Sequence, residues 1–512
     1  MGMNTLLTCL AKHALARPQA IAVRSRDESL TYAQLMTAVK QVAQRLGDCR
    51  ARSVGIYLDN GIEWIVLDLA SIAADIKVVP LPWFFSDEQL SHAVETGAVD
   101  VVAYTDDLPR GVTGTGVAEE LYGNCHLQPL SLPVSRAATA TPGSTKLSFT
   151  SGSTGTPRGV ELEHRFIDQT CRSISKAIAT LDIEKHLSIL PYAILLENIA
   201  GVYLPLMLGK TVYAEPAARV GLSAELRLDP VRLQQTFNQI QPDSLILTPQ
   251  LLELFCRLVE NDAIDPACLV FVAVGGARVG ESLMRRARSV GIPAYEGYGL
   301  TEFGSGAILN TPQDNRIGSV GKPLPGVTVE FAADGEICLS TTLWQTTANA
   351  RPEKKVTVQT GDFGSIDSDG FIYVHGRKSN LIVLSTGRNV SPEWIETELN
   401  SSPLILQSYV FSETGSELSA LLVTAGSGVA NSALDAEVER INLKLPAYAQ
   451  IKHSHRLPHP FSRDNQMLTA NGRLRRQQIE QLLPTLLSST KSGPPVTGGD
   501  LPNHSVQEIN PC

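Results

Sequence analysis

Residues 150–159 read Thr150-Ser151-Gly152-Ser153-Thr154-Gly155-Thr156-Pro157-Arg158-Gly159, a run rich in groups that hold anions. Its first seven residues carry five hydroxyl side chains, and the whole run has three glycines and one cation. Glycines let a backbone close around a ligand, so several N–H groups and hydroxyls can converge on one charge. The anion that suits such a cradle best is a nucleotide triphosphate. Gly/Ser/Thr clusters also mark plain surface loops, so the run alone leaves both readings open. Four further sites carry chemistry-bearing types: Gly275-Gly276-Ala277, Tyr298-Gly299-Leu300-Thr301-Glu302, Thr360-Gly361-Asp362 and Gly472-Arg473.

The elements around these sites must place them together. Lys146-Leu147-Ser148-Phe149 reads as a strand leading into the first run. Strand-like stretches at 21–24, 54–58, 77–81 and 101–104 alternate with helix-like ones at 61–74 and 87–96, and Thr31 stands at a helix start. That alternation predicts an α/β fold with parallel sheets covered by helices. Further strands are expected at 245–248, 269–274 and 292–296. Ligands of such sheets bind where strands end, which makes one shared site of the first three segments.

From about residue 315 the pattern changes to short strands at 327–331, 336–339, 364–366 and 371–375, joined by turns such as Asp334-Gly335. This predicts a small β-subdomain at 315–376. The expected organisation is a large N-terminal domain over 1–376 and a small α+β domain over 377–488. A tail over 489–512, rich in Gly, Pro, Ser and Asn, is expected to be disordered.

Composition narrows the class. The 512 residues are 43% hydrophobic and 19% charged, ordinary for a globular chain. A net charge of −9 argues against a generally basic surface, so no nucleic-acid partner is expected. The eight cysteines are scattered, with no CxxC pair, and the histidines do not group at metal-ligand spacing. Reduced thiols in a cytoplasmic protein are the expectation. No basic segment with an apolar core opens the chain, and Leu6 stands where a myristoylation motif wants Ser or Thr. The longest apolar stretch, 193–209, contains Glu197 and Asn198 and is short for a membrane span, so a buried helix is expected.

In this order, 150–159, Leu190-Pro191, 275–277, 298–302, 360–362, Gly376-Arg377 and 472–476, these motifs resemble the adenylate-forming (AMP-binding) enzymes. The resemblance covers nearly the whole chain to about residue 482. It implies attack of a carboxylate on the α-phosphorus of ATP, giving an acyl adenylate and pyrophosphate, then transfer to a thiol. It also implies the roles. Thr150, Ser151, Gly152, Ser153, Thr154, Gly155 and Arg158 would hold the terminal phosphates. Thr301 would meet the α-phosphate and Glu302 a magnesium ion. Tyr298, Gly299, Gly276 and Ala277 would border the adenine, and Asp362 and Arg377 the ribose. Arg473 would be catalytic, Ser379 the hinge of a rotating C-terminal domain, and Gly387 part of the acceptor-tunnel loop.

Two positions depart from the family pattern. Pro157-Arg158-Gly159 stands where Pro-Lys-Gly is usual, and Arg473 where a Lys follows the Gly. Charge is kept, but a planar fork replaces a compact ammonium. The run 190–197 and the stretches 380–393 and 467–472 are most similar to fatty acyl-CoA synthetases. This implies a medium- to long-chain fatty acid as substrate and coenzyme A as acceptor. No carrier domain follows residue 476 in this sequence, so a separate phosphopantetheinyl carrier protein is the rival acceptor. A non-catalytic adenylate-binding homologue is a further alternative.

Overall fold

The computed structural model describes residues 5–130, 145–150, 157–223, 228–343, 354–426, 428–469 and 472–491. Unbroken apolar runs in this sequence become parallel strands, because both faces of each sheet are covered. Ser244–Leu247 is buried at every position and Ser53–Tyr57 at four of five. A nine-stranded sheet has the order Lys322–Pro323, Ile308–Leu309, Ala294–Tyr298, Phe271–Val274, Ser244–Leu247, Lys185–Leu187, Thr211–Tyr213, Ile21–Arg24 and Ser29–Thr31. From Ile21–Arg24 to Ala294–Tyr298 its neighbours are parallel, and the outer pairs are antiparallel. A seven-stranded sheet runs Glu119–Tyr122, Cys125–Pro129, Val101–Tyr104, Ser53–Tyr57, Lys77–Pro80, Thr145–Thr150 and Arg158–Glu163.

Helices follow from local signals. Thr31 caps the helix Tyr32–Asp48 by accepting from the Gln34 N–H, while the Gln34 side chain accepts from the Thr31 N–H. Leu35, Val39, Val42 and Leu46 then fall on one buried stripe. The apolar stretch at 193–209 is buried as expected, but it begins as a π-helix, Glu197–Tyr203, before the α-helix Leu204–Leu208. No helix among the described residues is long and apolar enough to cross a membrane. The seven cysteines described are all free thiols.

Val327–Phe331, Glu336–Leu343, Lys354–Ile366 and Ile372–Arg377 make a four-stranded antiparallel sheet. The strand expected at 364–366 is only the end of the longer Lys354–Ile366. A register shift at Phe363/Gly364 and the left-handed Gly361 (φ +72°) interrupt its pattern. Asp362 therefore lies in a strand, in register with Arg377. Ala294–Tyr298 likewise runs two residues further than expected, so Tyr298 ends a strand.

Beyond this, Ile405–Phe411, Leu418–Thr424 and Ile451–Arg456 form a three-stranded sheet. One face packs Val410 and Leu422 on Ile395, Leu434 and Ile441. The other packs Tyr409 and Leu421 on Ile479 of the helix Arg476–Lys491. The helix reaches Lys491, and residues 492–512, most of the expected tail, lie outside the described residues. The whole is the mixed α/β architecture expected.

Candidate active site

The carboxyl ends of adjacent parallel strands open on one cleft. Gly275-Gly276-Ala277 continues from Phe271–Val274, and Tyr298 ends the next strand. Gly276 holds φ +82°, a conformation that favours glycine. A side chain at Gly299 would put its Cβ 2.3 Å from the Ser305 carbonyl, so glycine alone lets these loops close up. The short turn Thr301–Phe303 follows and places Thr301 and Glu302, both half-buried, on the cleft wall.

Tyr298 and Asp362 meet here from different sheets. The Tyr298 hydroxyl donates to Asp362 Oδ2 at 2.6 Å, and Arg377 Nε lies 3.9 Å from Oδ1. Burial raises the Asp362 pKa, while the Tyr298 hydrogen bond and the Arg377 charge lower it. Burial and the neighbouring carboxylate together push the Tyr298 hydroxyl well above its ordinary pKa, so it stays a donor.

On the opposite wall the strands Thr145–Thr150 and Arg158–Glu163 pair antiparallel, with Thr150 opposite Arg158. Thr150 Oγ1 donates to the Arg158 carbonyl at 3.3 Å, and both residues line the cavity. Ser151, Gly152, Ser153, Thr154 and Gly155, between them, lie outside the described residues. Glu302 makes no hydrogen bond or ion pair among the described residues, nor do those residues group three metal-ligating side chains. A single open carboxylate fits a hard cation that takes its other oxygens from phosphates and water, as magnesium does.

Arg473 closes the cleft from the C-terminal side. Its Nη2 donates to the Gly276 carbonyl at 2.6 Å. Arg473 keeps exposed surface, but the cleft walls desolvate its guanidinium. That, with the Arg377 charge, lowers its pKa, and Asp362 works the other way. Arg476, one turn on, is held within 3.4 Å of Glu393, is hydrogen-bonded to Glu396, and lies over the Tyr409 ring. Ser379 lies in the short turn Lys378–Asn380 at the cavity rim. Gly387 is not brought there. It turns a hairpin between Ile382–Val383 and Asn389–Val390, away from the cavity lining.

Several residues at or near the site carried no motif. Arg278, directly after Ala277, donates to the carbonyls of Val374 (3.0 Å) and His375 (3.3 Å), just before Gly376-Arg377. Its adjacency to the glycine pair was the available signal. Glu296, on the same strand as Tyr298, accepts from the Val279 N–H at 3.3 Å, and burial raises its pKa to about 8. Lys146, read as part of an apolar strand, is fully buried. Its ammonium donates to Asp68 (2.8 and 3.0 Å), Tyr203 (2.8 Å) and Asn198, which spends all its protons. A lysine inside an apolar run was the signal for a buried partner.

Such a cleft, with a hydroxyl-and-carboxylate wall, an open carboxylate and an arginine from the C-terminal segment, suits nucleotide-dependent activation of an acid. The class it defines is the AMP-forming acid–thiol ligases. The chain belongs to the AMP-binding enzyme family, which matches residues 10–341, with the AMP-binding enzyme C-terminal domain matching 379–488. It is 26% identical over 524 residues to the long-chain-fatty-acid–CoA ligase FadD15 of Mycobacterium bovis, covering 84% of this chain and 86% of that protein. It is also 26% identical over 515 residues to the 2-succinylbenzoate–CoA ligase of Bacillus cytotoxicus, covering 94% and 99%. O-succinylbenzoate coenzyme A synthetase from Bacillus subtilis, solved with ATP and magnesium ion, shares the fold. Its TM-score is 0.70 at 22% identity, covering 92% of this chain and 99% of that one.

Proposed function

We propose that the chain activates a medium- to long-chain fatty acid, or an acid with a similarly extended apolar body, as its acyl adenylate, and passes the acyl group to coenzyme A. What carries the substrate reading is the cavity. One cavity of about 2290 Å³, the cleft included, is lined both by Tyr298 and Arg473 and by the apolar side chains of Ile174, Leu204, Leu208, Phe271 and Ala273. Phe271 stands four residues before Gly275 on its strand, so this wall reaches about 13 Å below the cleft. An apolar pocket of that depth suits a long acyl chain better than a single aromatic ring.

In this reading Asp362 takes the ribose hydroxyls as a bidentate acceptor, oriented by Tyr298 and Arg377. Tyr298, Gly299, Gly276 and Ala277 border the adenine. Thr301 contacts the α-phosphate. Glu302 would hold the magnesium ion, whose contribution is to neutralise phosphate charge. The loop with Thr150, Ser151, Gly152, Ser153, Thr154, Gly155 and Arg158 holds the outgoing pyrophosphate. Arg473 bridges the attacking carboxylate and the phosphate, its fork supplying two N–H groups where a lysine has one ammonium. Catalysis is then positioning and charge stabilisation at phosphorus. For the second step Ser379 serves as hinge, Arg473 withdraws, and Gly387 moves to the acceptor tunnel. The body that turns is 377–488, against 1–376.

The test is acid-dependent pyrophosphate release with a panel of acids of graded length, with and without coenzyme A. Release with long acids, and acyl-CoA only when coenzyme A is added, is the expected result. No acid-dependent release from any member of the panel would refute the proposal. Transfer to a phosphopantetheinyl carrier protein and not to coenzyme A would reassign the acceptor.

A further inference from the structure

Deep in the apolar part of the cavity stand two polar side chains, His186 and Ser244. They are partners across parallel strands, and Ser244 pairs in turn with Phe271. His186 Nδ1 lies 2.9 Å from Ser244 Oγ, and its Nε2 lies 3.2 Å from Glu197 Oε1. His186, Ser244 and Glu197 are 3%, 6% and 0% exposed, and the second oxygen of Glu197 has no hydrogen-bond partner among the described residues. Gly201 makes room for this contact, since a Cβ there would stand 2.3 Å from Glu197 Oε1 and 2.8 Å from His186 Nε2. A wall meant only for hydrocarbon has no use for a buried His186–Ser244 pair backed by a buried carboxyl group, since such groups are costly to desolvate.

We propose that His186, Ser244 and Glu197 select an acid that carries an uncharged oxygen function, a hydroxyl or keto group, far along its chain. This rests on the acyl-binding reading of the cavity. The imidazole spends one nitrogen on each partner. With the proton on Nε2, the Ser244 hydroxyl donates to Nδ1 and turns lone pairs to the cavity. With the proton on Nδ1, and Glu197 protonated so that it donates to Nε2, it accepts there and turns its O–H to the cavity. Either way the Ser244 hydroxyl keeps a hydrogen-bonding capacity for a ligand. A ligand hydroxyl satisfies both arrangements and a keto oxygen the second. A terminal carboxylate fits poorly, because the Glu197 carboxylate stands directly behind the imidazole. Ser244 is level with Phe271, about 13 Å below the cleft edge. A fully extended chain advances about 3.8 Å per three bonds, the spacing of consecutive Cα atoms, which places the oxygen roughly ten bonds from the carboxyl.

The experiment is calorimetric binding of saturated acids, of equal-length acids with a hydroxyl or keto group at successive positions, and of the matching dicarboxylic acids. It uses the full chain and its Ser244→Ala and Ser244→Thr variants. At one position, roughly ten bonds out, the oxygenated acid should bind about tenfold tighter than the plain acid, as one buried hydrogen bond provides. Ser244→Ala should bring that ratio near one without weakening the plain acid, and Ser244→Thr should retain it. The proposal fails if wild type prefers no oxygenated acid at any position, if Ser244→Ala weakens both acids alike, if the dicarboxylic acid binds tightest, or if none of the acids binds. Acids that bind with this preference yet release no pyrophosphate would count against the activity proposed above and leave the selection intact.

Discussion

The Arg473 guanidinium donates to the Gly276 carbonyl at 2.6 Å, joining residues 197 positions apart. One belongs to the glycine loop at the end of a central strand, the other to the segment before the last helix. In this arrangement the arginine lines the cleft and Gly387 stands outside it, which in the proposed reading is the adenylating arrangement. Replacing Arg473 with Ala should lower acid-dependent ATP–pyrophosphate exchange by about 10²- to 10³-fold, the usual cost of losing one charge-stabilising donor. Transfer from preformed acyl adenylate to coenzyme A should stay close to wild type. Equal exchange rates in the two proteins would remove Arg473 from the chemistry.

Tyr298→Phe deletes the hydroxyl that orients Asp362 and leaves the ring. A net hydrogen bond of about 0.5–1.5 kcal/mol predicts a rise in the KM for ATP of roughly three- to tenfold, with kcat little changed. Steady-state kinetics at saturating acid measure it. An unchanged KM would mean that Asp362 is held well enough by Arg377 and its strand.

Lys146 and Asp68 form a fully buried ion pair, further satisfied by Asn198 and Tyr203. Burial pulls the lysine pKa down and Asp68 pushes it back up. Lys146→Ala strands a carboxylate in the core and should cost about 3–5 kcal/mol in urea unfolding. The double variant Lys146→Met with Asp68→Leu should recover most of this, because no charge is left unpaired. If the double variant is no more stable than the single, packing rather than charge is the reason for the loss.

Glu296 is an acid with an ordinary pKa of 4.5 raised to about 8 by burial. Between those values the folded chain keeps a proton that the unfolded chain has released. Stability therefore falls as pH rises through that window. Glu296→Gln removes the slope and can still accept from the Val279 N–H. The stability difference between variant and wild type should widen from pH 5 to pH 8 and level off above it. Thermal unfolding across that range gives the answer, and a pH-independent difference would contradict the raised pKa.

Read alone, the sequence shows the chemistry-bearing loops, the helix cap at Thr31 and the parallel character of the large sheets. These are local properties: glycine and hydroxyl content, a capping residue, and apolar runs of strand length. It also placed Asp362, Tyr298 and Arg473 in motifs whose order pointed to one family. What it could not give was contact between residues far apart in the chain. The hydrogen bond from Tyr298 to Asp362 depends on two different sheets meeting, and Gly361-Asp362 reads locally as a turn although it lies within a strand. Lys146 read as one polar residue in an apolar strand, because its partners Asp68, Asn198 and Tyr203 are 78, 52 and 57 residues away. His186 and Ser244 belong to no motif and Glu197 only closes the run 190–197, and strand register and a π-helical turn bring Glu197 behind the His186–Ser244 pair that lines the cavity. Tertiary structure decided these pairings because burial makes a polar group seek a partner wherever the packed chain supplies one, whatever the separation in sequence.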